Sequence, residues 1–180
     1  MKTYTLQVAG LTRELPLCAL NDKLDIAAFI MFGDVELTRR CAEELIKLVP
    51  AHDVLITAEA KGIPLAYEMA RQMGVNRYLV ARKSPKLYMK NPMNVTVKSI
   101  TTAATQRLYI DEEDAKFMKG RRVLIVDDVI STGESVEAVE ALIEKAGGTV
   151  AGRMAVLAEG DAAARKDIIY LAPLPLFPKK

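Results

Sequence analysis

The sequence predicts an α/β protein with an open, mostly parallel sheet and helices on both of its faces. From residue 34 onward, apolar runs of strand length alternate with helix-like segments. This alternation is typical of strand–helix–strand units, in which the strands run parallel. The run VLIV at residues 123–126 is apolar without interruption, which indicates a strand that is buried on both faces.

Three helices and five strands are expected, and the helices have ordinary start and stop signals. Asp34 can cap the first helix, Pro50 follows that helix as a stop signal, and Gly74 closes the second helix. The helical patterns cover residues 35–49, 63–74 and 133–148. The strand patterns lie within residues 53–62, 77–81, 121–128, 149–159 and 167–180, the last of which ends in a proline-rich tail.

The composition is that of a soluble globular protein with one domain over residues 1–180. Hydrophobic residues make up 51% of the chain and charged residues 27%, and the net charge of +2 is too small to indicate nucleic-acid binding. Two cysteines and one histidine form neither a disulfide framework nor a zinc site, so no metal ligands are predicted. The apolar run at residues 26–32 is too short to cross a membrane, and residues 1–10 lack a signal-peptide pattern. A cytoplasmic location is therefore expected.

Two adjacent carboxylates mark the end of the central strand pattern. Asp127 and Asp128 directly follow the run VLIV. In an open parallel sheet, ligands bind beyond the carboxyl ends of the strands. Neighbouring carboxylates are unfavourable there unless they have partners. Because an ionised carboxylate only accepts hydrogen bonds, the two hydroxyls of a sugar diol are suitable donors, and the pair indicates a sugar site.

The segment after the aspartates, residues 130–135, reads ISTGES and leads into a predicted helix; we call it the phosphate loop. A helix start presents unpaired N–H groups and a partial positive charge, which suit a phosphate. Gly133 lets the main chain approach closely, and the neighbouring hydroxyls add donors. Ordinary turn and capping chemistry explains one aspartate followed by one hydroxyl residue, but the whole string predicts a ribose 5-phosphate site.

The string VLIVDDVISTGES resembles the phosphoribosyl-diphosphate (PRPP) signature of type I phosphoribosyltransferases. TAEAKG at residues 57–62 is similar to their pyrophosphate loop, and ARK at residues 81–83 to the strand end that opens their flexible catalytic loop. The resemblance extends over about residues 34–177 and is strongest to the adenine and xanthine branches. It implies the fold of that family, with a small hood formed from about residues 1–33 and 158–180, and it implies a homodimer.

The resemblance also implies a role for each matching residue. Asp127 and Asp128 would be the catalytic pair, which binds the ribose hydroxyls. The 5-phosphate would be bound by Ser131, Thr132, Gly133, Glu134 and Ser135. The pyrophosphate would be bound by Ala60, Lys61, Gly62, Arg82, Lys83 and Lys86. The base would lie against Val129 and Glu159. Mg²⁺ would be held mainly through PRPP, because this ion keeps several waters and needs few protein ligands.

The basic segment, residues 82–110, carries six basic residues and no acidic one, although the chain as a whole is nearly balanced. A flexible lid over about residues 83–106 would explain this segregation. Its cations would neutralise the leaving pyrophosphate, and its closure would exclude the water that hydrolyses PRPP. A solvated surface hairpin is the alternative interpretation.

Two positions bear on the identity of the base. In the adenine branch the flexible loop carries an acidic residue, but Thr102 lies near that position here, so the purine proton would leave by water, by a main-chain carbonyl, or by Glu59 or Glu159. In the xanthine branch a lysine that reads a 6-oxo group follows the residue equivalent to Glu159, whereas this chain has Gly160. Adenine is therefore the expected base, and another purine or a pyrimidine is the alternative.

The expected function is purine phosphoribosyl transfer from PRPP, which yields a nucleoside monophosphate and pyrophosphate. A protein that senses PRPP without turnover is the rival interpretation, because the loop acid of the adenine branch is missing. No helix-turn-helix pattern precedes the first predicted helix, so a self-contained DNA-binding regulator is not expected.

Overall fold

In the computed structural model, which describes residues 2–98 and 105–179, a five-stranded parallel sheet forms the centre of the fold. The elements are β1 (Thr3–Val8), β2 (Leu11–Ala19), β3 (Leu24–Ala27), α1 (Val35–Ile46), β4 (Val54–Ala58), α2 (Ile63–Gln72), β5 (Leu79–Ala81), β6 (Met93–Lys98), β7 (Thr105–Ile110), α3 (Glu112–Met118), β8 (Arg122–Ile130), α4 (Glu134–Lys145), β9 (Thr149–Glu159), a 3₁₀ helix (Gly160–Ala164), β10 (Ile169–Leu174) and β11 (Phe177–Pro178). The predicted fold class is confirmed.

The parallel sheet has the strand order β10-β9-β8-β4-β5, so β8 lies at its middle. The apolar residues of β8 are buried on both faces, as predicted. Val123 and Ile125 pack into a core with α4, whereas Leu124 and Val126 pack into a core with α1, α2 and the N-terminal strands. The carboxyl end of β8 is thereby fixed between two helix layers.

The hood is an antiparallel sheet of β1, β2, β3 and β11, in that order. Phe177 of β11 pairs with Asp25 of β3, so the two ends of the chain meet in this sheet. β10 lies within the segment 158–180 that was assigned to the hood, but it pairs with β9 in the parallel sheet. From that segment, β11 is the strand that joins the hood.

The described part of the basic segment contains an antiparallel hairpin of β6 and β7. Val95, Leu108 and Ile110 are buried in the core that includes α4, and Lys145 Nζ on α4 donates to the Asn94 carbonyl oxygen at 2.8 Å. The alternative interpretation, a hairpin, therefore describes β6 and β7. The apolar face of this hairpin is packed in the core and is not solvated. The residues at its tip, 99–104, lie outside the described residues.

The predicted helices are found with shorter bounds. Asp34 caps α1 by accepting a hydrogen bond from Leu37 N at 2.9 Å, and α1 ends at Ile46, three residues before the predicted end. Gly74, with a φ of 70°, follows the end of α2 as expected. Among the described helices, none has both the length and the apolar character that crossing a membrane requires.

Candidate active site

Both aspartates lie near the end of the central strand, as predicted, and β8 continues two residues beyond them to Ile130. Asp128 is buried, with 2% of its surface exposed. Its Oδ2 atom lies 3.0 Å from Lys61 Nζ and has no hydrogen-bond partner among residues 2–98 and 105–179. Asp127 Oδ1 accepts a hydrogen bond from the main-chain N–H of Asp128 at 2.8 Å.

The two carboxyl groups have different electrostatic environments. Removal of the Asp127 carboxyl from water raises its pKa to about 8, and the neighbouring charge of Asp128 acts in the same direction. The positive charge of Lys61 opposes this rise in the pKa. Burial and the neighbouring charge of Asp128 thus favour the protonated form of Asp127, while Asp128 forms the ion pair with Lys61.

The phosphate loop surrounds a cavity of about 90 Å³, which is lined by Asp127 and residues 129–136. Gly133 has a φ of 88° and is the residue that precedes α4, so the first N–H groups of that helix face the cavity region. A Cβ at Gly133 would also lie 2.6 Å from Arg165 Nη1. Asp167 holds this guanidinium with two hydrogen bonds of 3.0 and 2.7 Å. The loop therefore needs glycine at this position for its φ, and a larger residue would also displace the Arg165 guanidinium.

A contact between the hairpin and the phosphate loop could not be foreseen from the sequence. Gln106 Nε2 on β7 donates a hydrogen bond to Ser135 Oγ at 3.2 Å. The two residues are 29 positions apart in the chain, and neither belongs to a motif that predicts their pairing. The contact links the basic segment to the first turn of α4, where the phosphate loop ends.

The loop from β4 to α2, with Ala60, Lys61 and Gly62, packs directly against the aspartates. A Cβ on Gly62 would overlap the Thr57 hydroxyl and would lie 3.0 Å from Asp127 Oδ1. Gly62 is the residue that precedes α2. The start of α2 therefore lies beside Asp127, and its partial positive charge favours an anion there. Its first turn has few N–H groups to offer, because Ile63 N donates to the Ala60 carbonyl oxygen at 3.2 Å and Pro64 has no N–H.

Three basic residues predicted to bind pyrophosphate converge on Glu59, a residue outside the predicted binding set. Lys83 N donates to Glu59 Oε2 at 2.9 Å. Arg82 Nη2 and Lys86 Nζ lie 3.3 and 3.8 Å from Glu59 Oε1. These contacts lower the pKa of Glu59, the Lys83 hydrogen bond contributing most. Spacing could not show the convergence, because Glu59 and Lys83 are 24 residues apart.

A second cavity, of about 320 Å³, lies between the hood and the carboxyl ends of β8 and β9; we call it the base cavity. It brings together Val129 and Glu159, the two residues predicted to contact the base, with Lys61 and Ser131. Residues 26–30 of the hood form much of its wall together with Leu174. This wall could not be predicted from the sequence, because apolar residues at the end of a short strand have the pattern of ordinary core residues.

Gly160 follows Glu159 at the start of the 3₁₀ helix, where the main chain leaves little room for a larger residue. Its φ is 58°, and a Cβ there would lie 2.9 Å from Leu176 Cδ1. A lysine at this position would require both a strained main chain and a displaced Leu176. Thr102, the other position used to discuss the base, lies outside the described residues.

The phosphoribosyl transferase domain family matches residues 36–172. The chain belongs to this family. Its aspartates, its phosphate loop and its two cavities all fall in or beside the matched region. Among residues 2–98 and 105–179, no three His, Cys, Asp or Glu side chains are grouped closely enough to hold a metal ion.

Relatives within the phosphoribosyl transferase family carry different names. A hypoxanthine/guanine phosphoribosyltransferase of Ferroglobus placidus is 31% identical over 131 residues, which are 72% of this chain and 66% of the relative. An adenine phosphoribosyltransferase of Rhodococcus opacus is 34% identical over 128 residues, covering 71% of this chain and 69% of that protein. The match covers only 53% of a hypoxanthine/guanine enzyme of Methanocella paludicola, so the chain spans between about half and two thirds of several curated relatives.

Solved structures share the fold. The adenine phosphoribosyltransferase of Thermoanaerobacter pseudethanolicus superposes with a TM-score of 0.65 at 25% identity, covering 79% of this chain and 84% of that one. The adenine phosphoribosyltransferase of Rhodothermus marinus superposes with a TM-score of 0.66 over 96% of this chain and 94% of its own, at 22% identity. The latter likeness covers the hood as well as the parallel sheet.

Proposed function

We propose that the chain is a purine phosphoribosyltransferase that moves the 5-phosphoribosyl group of PRPP to adenine and releases pyrophosphate. The observation that carries this proposal is the order of the sites around Asp127 and Asp128. The cavity of the phosphate loop and the base cavity share Val129 and Ser131 in their walls. Lys61 also lines the base cavity, and its Nζ atom forms the ion pair with Asp128. A ribose over the aspartates would thus have its phosphate, its leaving group and its acceptor within reach.

Asp128 is suited to the ribose and to the charge that develops on it. Its buried Oδ2 atom lacks a hydrogen-bond partner among the described residues, and a ribose hydroxyl supplies a donor. In the transition state the ribose ring gains positive charge. A carboxylate about 5 Å away stabilises that charge by about 3 kcal/mol at an effective dielectric constant of ~20. A stabilisation of about 3 kcal/mol in the transition state corresponds to a rate increase of roughly a hundredfold.

Pyrophosphate would bind between the start of α2 and the start of the basic segment. Ala60, Lys61 and Gly62 offer the main-chain N–H groups and one cation, and Arg82, Lys83 and Lys86 offer three more cations. Lys61 would exchange its contact with Asp128 for the pyrophosphate oxygens. Positive charges aimed at the leaving group stabilise it as the bond to the ribose breaks.

Mg²⁺ fits this arrangement as part of the substrate complex. Asp127 and Asp128 supply oxygen atoms of the kind that Mg²⁺ prefers, at the point where the ribose would lie. The ion would be held mainly by PRPP oxygens and water, and it would neutralise pyrophosphate charge. The protein would then orient the complex through the aspartates and the pyrophosphate loop.

Adenine is proposed as the base because of the polar groups of the base cavity. Glu159 is the acidic side chain in its wall, and a carboxylate accepts a hydrogen bond from an exocyclic amino group but repels a carbonyl oxygen. Lys61, the basic residue of the wall, is engaged with Asp128. The apolar side chains of residues 26–30, Val129 and Leu174 suit the faces of a planar purine.

A 6-oxopurine is the second candidate. It is favoured by the hypoxanthine/guanine relatives, one of which is 31% identical to this chain. Guanine also carries an amino group that could donate a hydrogen bond to the Glu159 carboxylate. The discriminating position is therefore Glu159, because glutamine at this site keeps the size of the side chain and adds N–H donors for a carbonyl.

The test is a panel of nucleobases with PRPP and Mg²⁺, in which pyrophosphate release is measured. Adenine should give the highest kcat/KM, and Glu159→Gln should lower that value at least tenfold while lowering the value for hypoxanthine less. Faster turnover with guanine, hypoxanthine or xanthine than with adenine contradicts the proposed base. PRPP binding without pyrophosphate release from any base would instead indicate a sensor. The homodimer that the family implies is part of the proposal and is tested by light scattering.

A further inference from the structure

We infer that Glu59 is a positioning residue, which anchors the start of the basic segment to the pyrophosphate loop and thereby orients three cations for the leaving group. The inference rests on the proposed function for its catalytic consequence. It rests on the structure alone for the anchor itself. Glu59 precedes Ala60 in the chain and follows the end of β4, so it is fixed by the same strand end that positions the pyrophosphate loop.

The anchor uses both oxygens of the carboxylate. One oxygen accepts the main-chain N–H of Lys83 at 2.9 Å. The other lies 3.3 Å from Arg82 Nη2 and 3.8 Å from Lys86 Nζ. A main-chain hydrogen bond fixes the path of the chain, whereas the two longer ionic contacts leave the cationic groups free to turn toward a ligand. Glu59 therefore holds the start of the basic segment in place and still leaves the cationic groups of Arg82 and Lys86 able to contact a ligand.

The same stretch is also held from its other side. Arg82 exchanges two main-chain hydrogen bonds of 2.8 Å with Tyr109, which lies on β7. Glu59 N in turn donates to the Ala81 carbonyl oxygen at 2.8 Å. Hydrogen bonds thus hold residues Ala81 to Lys83 between the end of β4 and β7. The Glu59 carboxylate supplies a side-chain hydrogen bond to Lys83 N, whereas the other bonds join main-chain atoms.

The charge at Glu59 needs an explanation of this kind. An anion beside a site for pyrophosphate repels the ligand, so it lowers affinity unless it organises a larger positive charge. Two cationic groups, Arg82 Nη2 and Lys86 Nζ, lie 3.3 and 3.8 Å from the carboxylate, and Lys83 adds its main-chain N–H, so the three basic residues leave a net positive charge beside the loop. Cations that are already in place lose less freedom when the ligand arrives than cations on an unanchored chain.

A role as the base for the purine proton does not fit Glu59. The base cavity is lined by Glu159 and not by Glu59. The contacts with Lys83, Arg82 and Lys86 lower the pKa of Glu59, which makes it a weaker base. Its geometry points to the leaving group and not to the acceptor.

The experiment compares Glu59→Ala and Glu59→Gln with a matched control, Glu44→Gln, in which a half-buried glutamate on α1 loses its ion pair with Lys47. Glu59→Ala should raise the KM for PRPP at least tenfold, change kcat less than threefold and leave the KM for the base unchanged. Glu59→Gln should stay within threefold of wild type in the KM for PRPP, because its amide oxygen still accepts the Lys83 N–H. Glu44→Gln should match wild type.

A second readout does not depend on catalysis. Trypsin should cleave after Lys83 and Lys86 at least threefold faster in ligand-free Glu59→Ala than in wild type, Glu59→Gln or the control. Wild-type cleavage and a wild-type KM for PRPP in Glu59→Ala would overturn the inference, as would equal damage by alanine and glutamine in variants with wild-type melting temperatures. If the wild-type protein released no pyrophosphate with any base, the proposed function would fail, and the cleavage rates would still decide the anchor.

Discussion

Replacement of Gly62 by alanine should damage the pyrophosphate loop through steric overlap alone. The φ of Gly62 is −76°, which alanine adopts without strain. The new Cβ, however, would overlap the hydroxyl of Thr57 and lie 3.0 and 3.3 Å from Asp127 Oδ1 and Cα. Thr57 is fully buried on β4, and Asp127 is fixed in β8, so neither can move away freely.

Overpacking of this kind costs about 1–3 kcal/mol. For a chain of this length, each kcal/mol lowers the melting temperature by roughly 2–4 °C, so Gly62→Ala should melt roughly 2–12 °C below wild type. Because the loop can relieve the overlap only by moving away from Asp127, the KM for PRPP should rise at least tenfold. Circular dichroism melts and pyrophosphate release measure the two effects.

Changes at Thr57 provide the matched controls. Thr57→Ala removes the hydroxyl that the new Cβ meets, so the double variant with Gly62→Ala should melt higher than the sum of the single effects predicts, with a coupling of about 1 kcal/mol or more. Thr57→Ser keeps the hydroxyl and should not rescue. A melting temperature within 1 °C of wild type for Gly62→Ala, or equal rescue by serine and alanine, would refute the steric argument.

The two aspartates should respond differently to amidation. Asp128→Asn keeps the size of the side chain and removes the charge, so kcat should fall at least a hundredfold, with a wild-type circular dichroism spectrum; activity within threefold of wild type would exclude the assigned role. The pKa of Asp127 is raised to about 8 in the fold, so the folded state holds a proton that the unfolded chain loses near pH 4. Stability from this group is then lost as pH rises from about 4 to 8, so the melting temperature of ligand-free Asp127→Asn relative to wild type should rise across this range and should stand several degrees higher at pH 8 than at pH 4.

The order of strands and helices was predictable because each carries its own local signal. The continuous apolar run of β8 and the caps of α1 and α2 are properties of short segments, and they are found where expected. The hairpin was only the alternative interpretation of the basic segment, because its charges favoured a lid, and the packing of its apolar residues into the core with α4 was not predicted. Its strands did carry a signal, since Val95 and Val97 on β6 alternate with polar residues. α3 was missed although Asp111 caps it by accepting a hydrogen bond from Glu113 N at 3.0 Å.

The site was predictable only where one continuous string carries it. The phosphate loop and the aspartates are adjacent in sequence, and the helix start after them is a local property. Contacts between distant segments left no such trace. Glu59 meets Lys83 because β4 and β5 are neighbours in the sheet, and residues 26–30 reach the base cavity because the hood folds over β8. Such contacts depend on tertiary packing, which spacing along the chain does not encode.

The ligand-free site balances its charges with internal partners, and each partner stands where the proposed substrate would bring its own. Lys61 lies against Asp128, where the ribose hydroxyls and Mg²⁺ would arrive. Glu59 lies among Arg82 and Lys86, where the pyrophosphate would arrive. The raised pKa of Asp127 favours its neutral form and so reduces the negative charge of the ligand-free site. PRPP binding would therefore exchange the Lys61–Asp128 ion pair for contacts with the substrate, whereas Glu59 would keep its hydrogen bond to Lys83 N while Arg82 and Lys86 turn toward the pyrophosphate. Replacing one ion pair by another changes the electrostatic energy little. The affinity for PRPP should therefore depend on how well the cations are positioned before the ligand binds, so the contacts that anchor the basic segment matter as much as its charges.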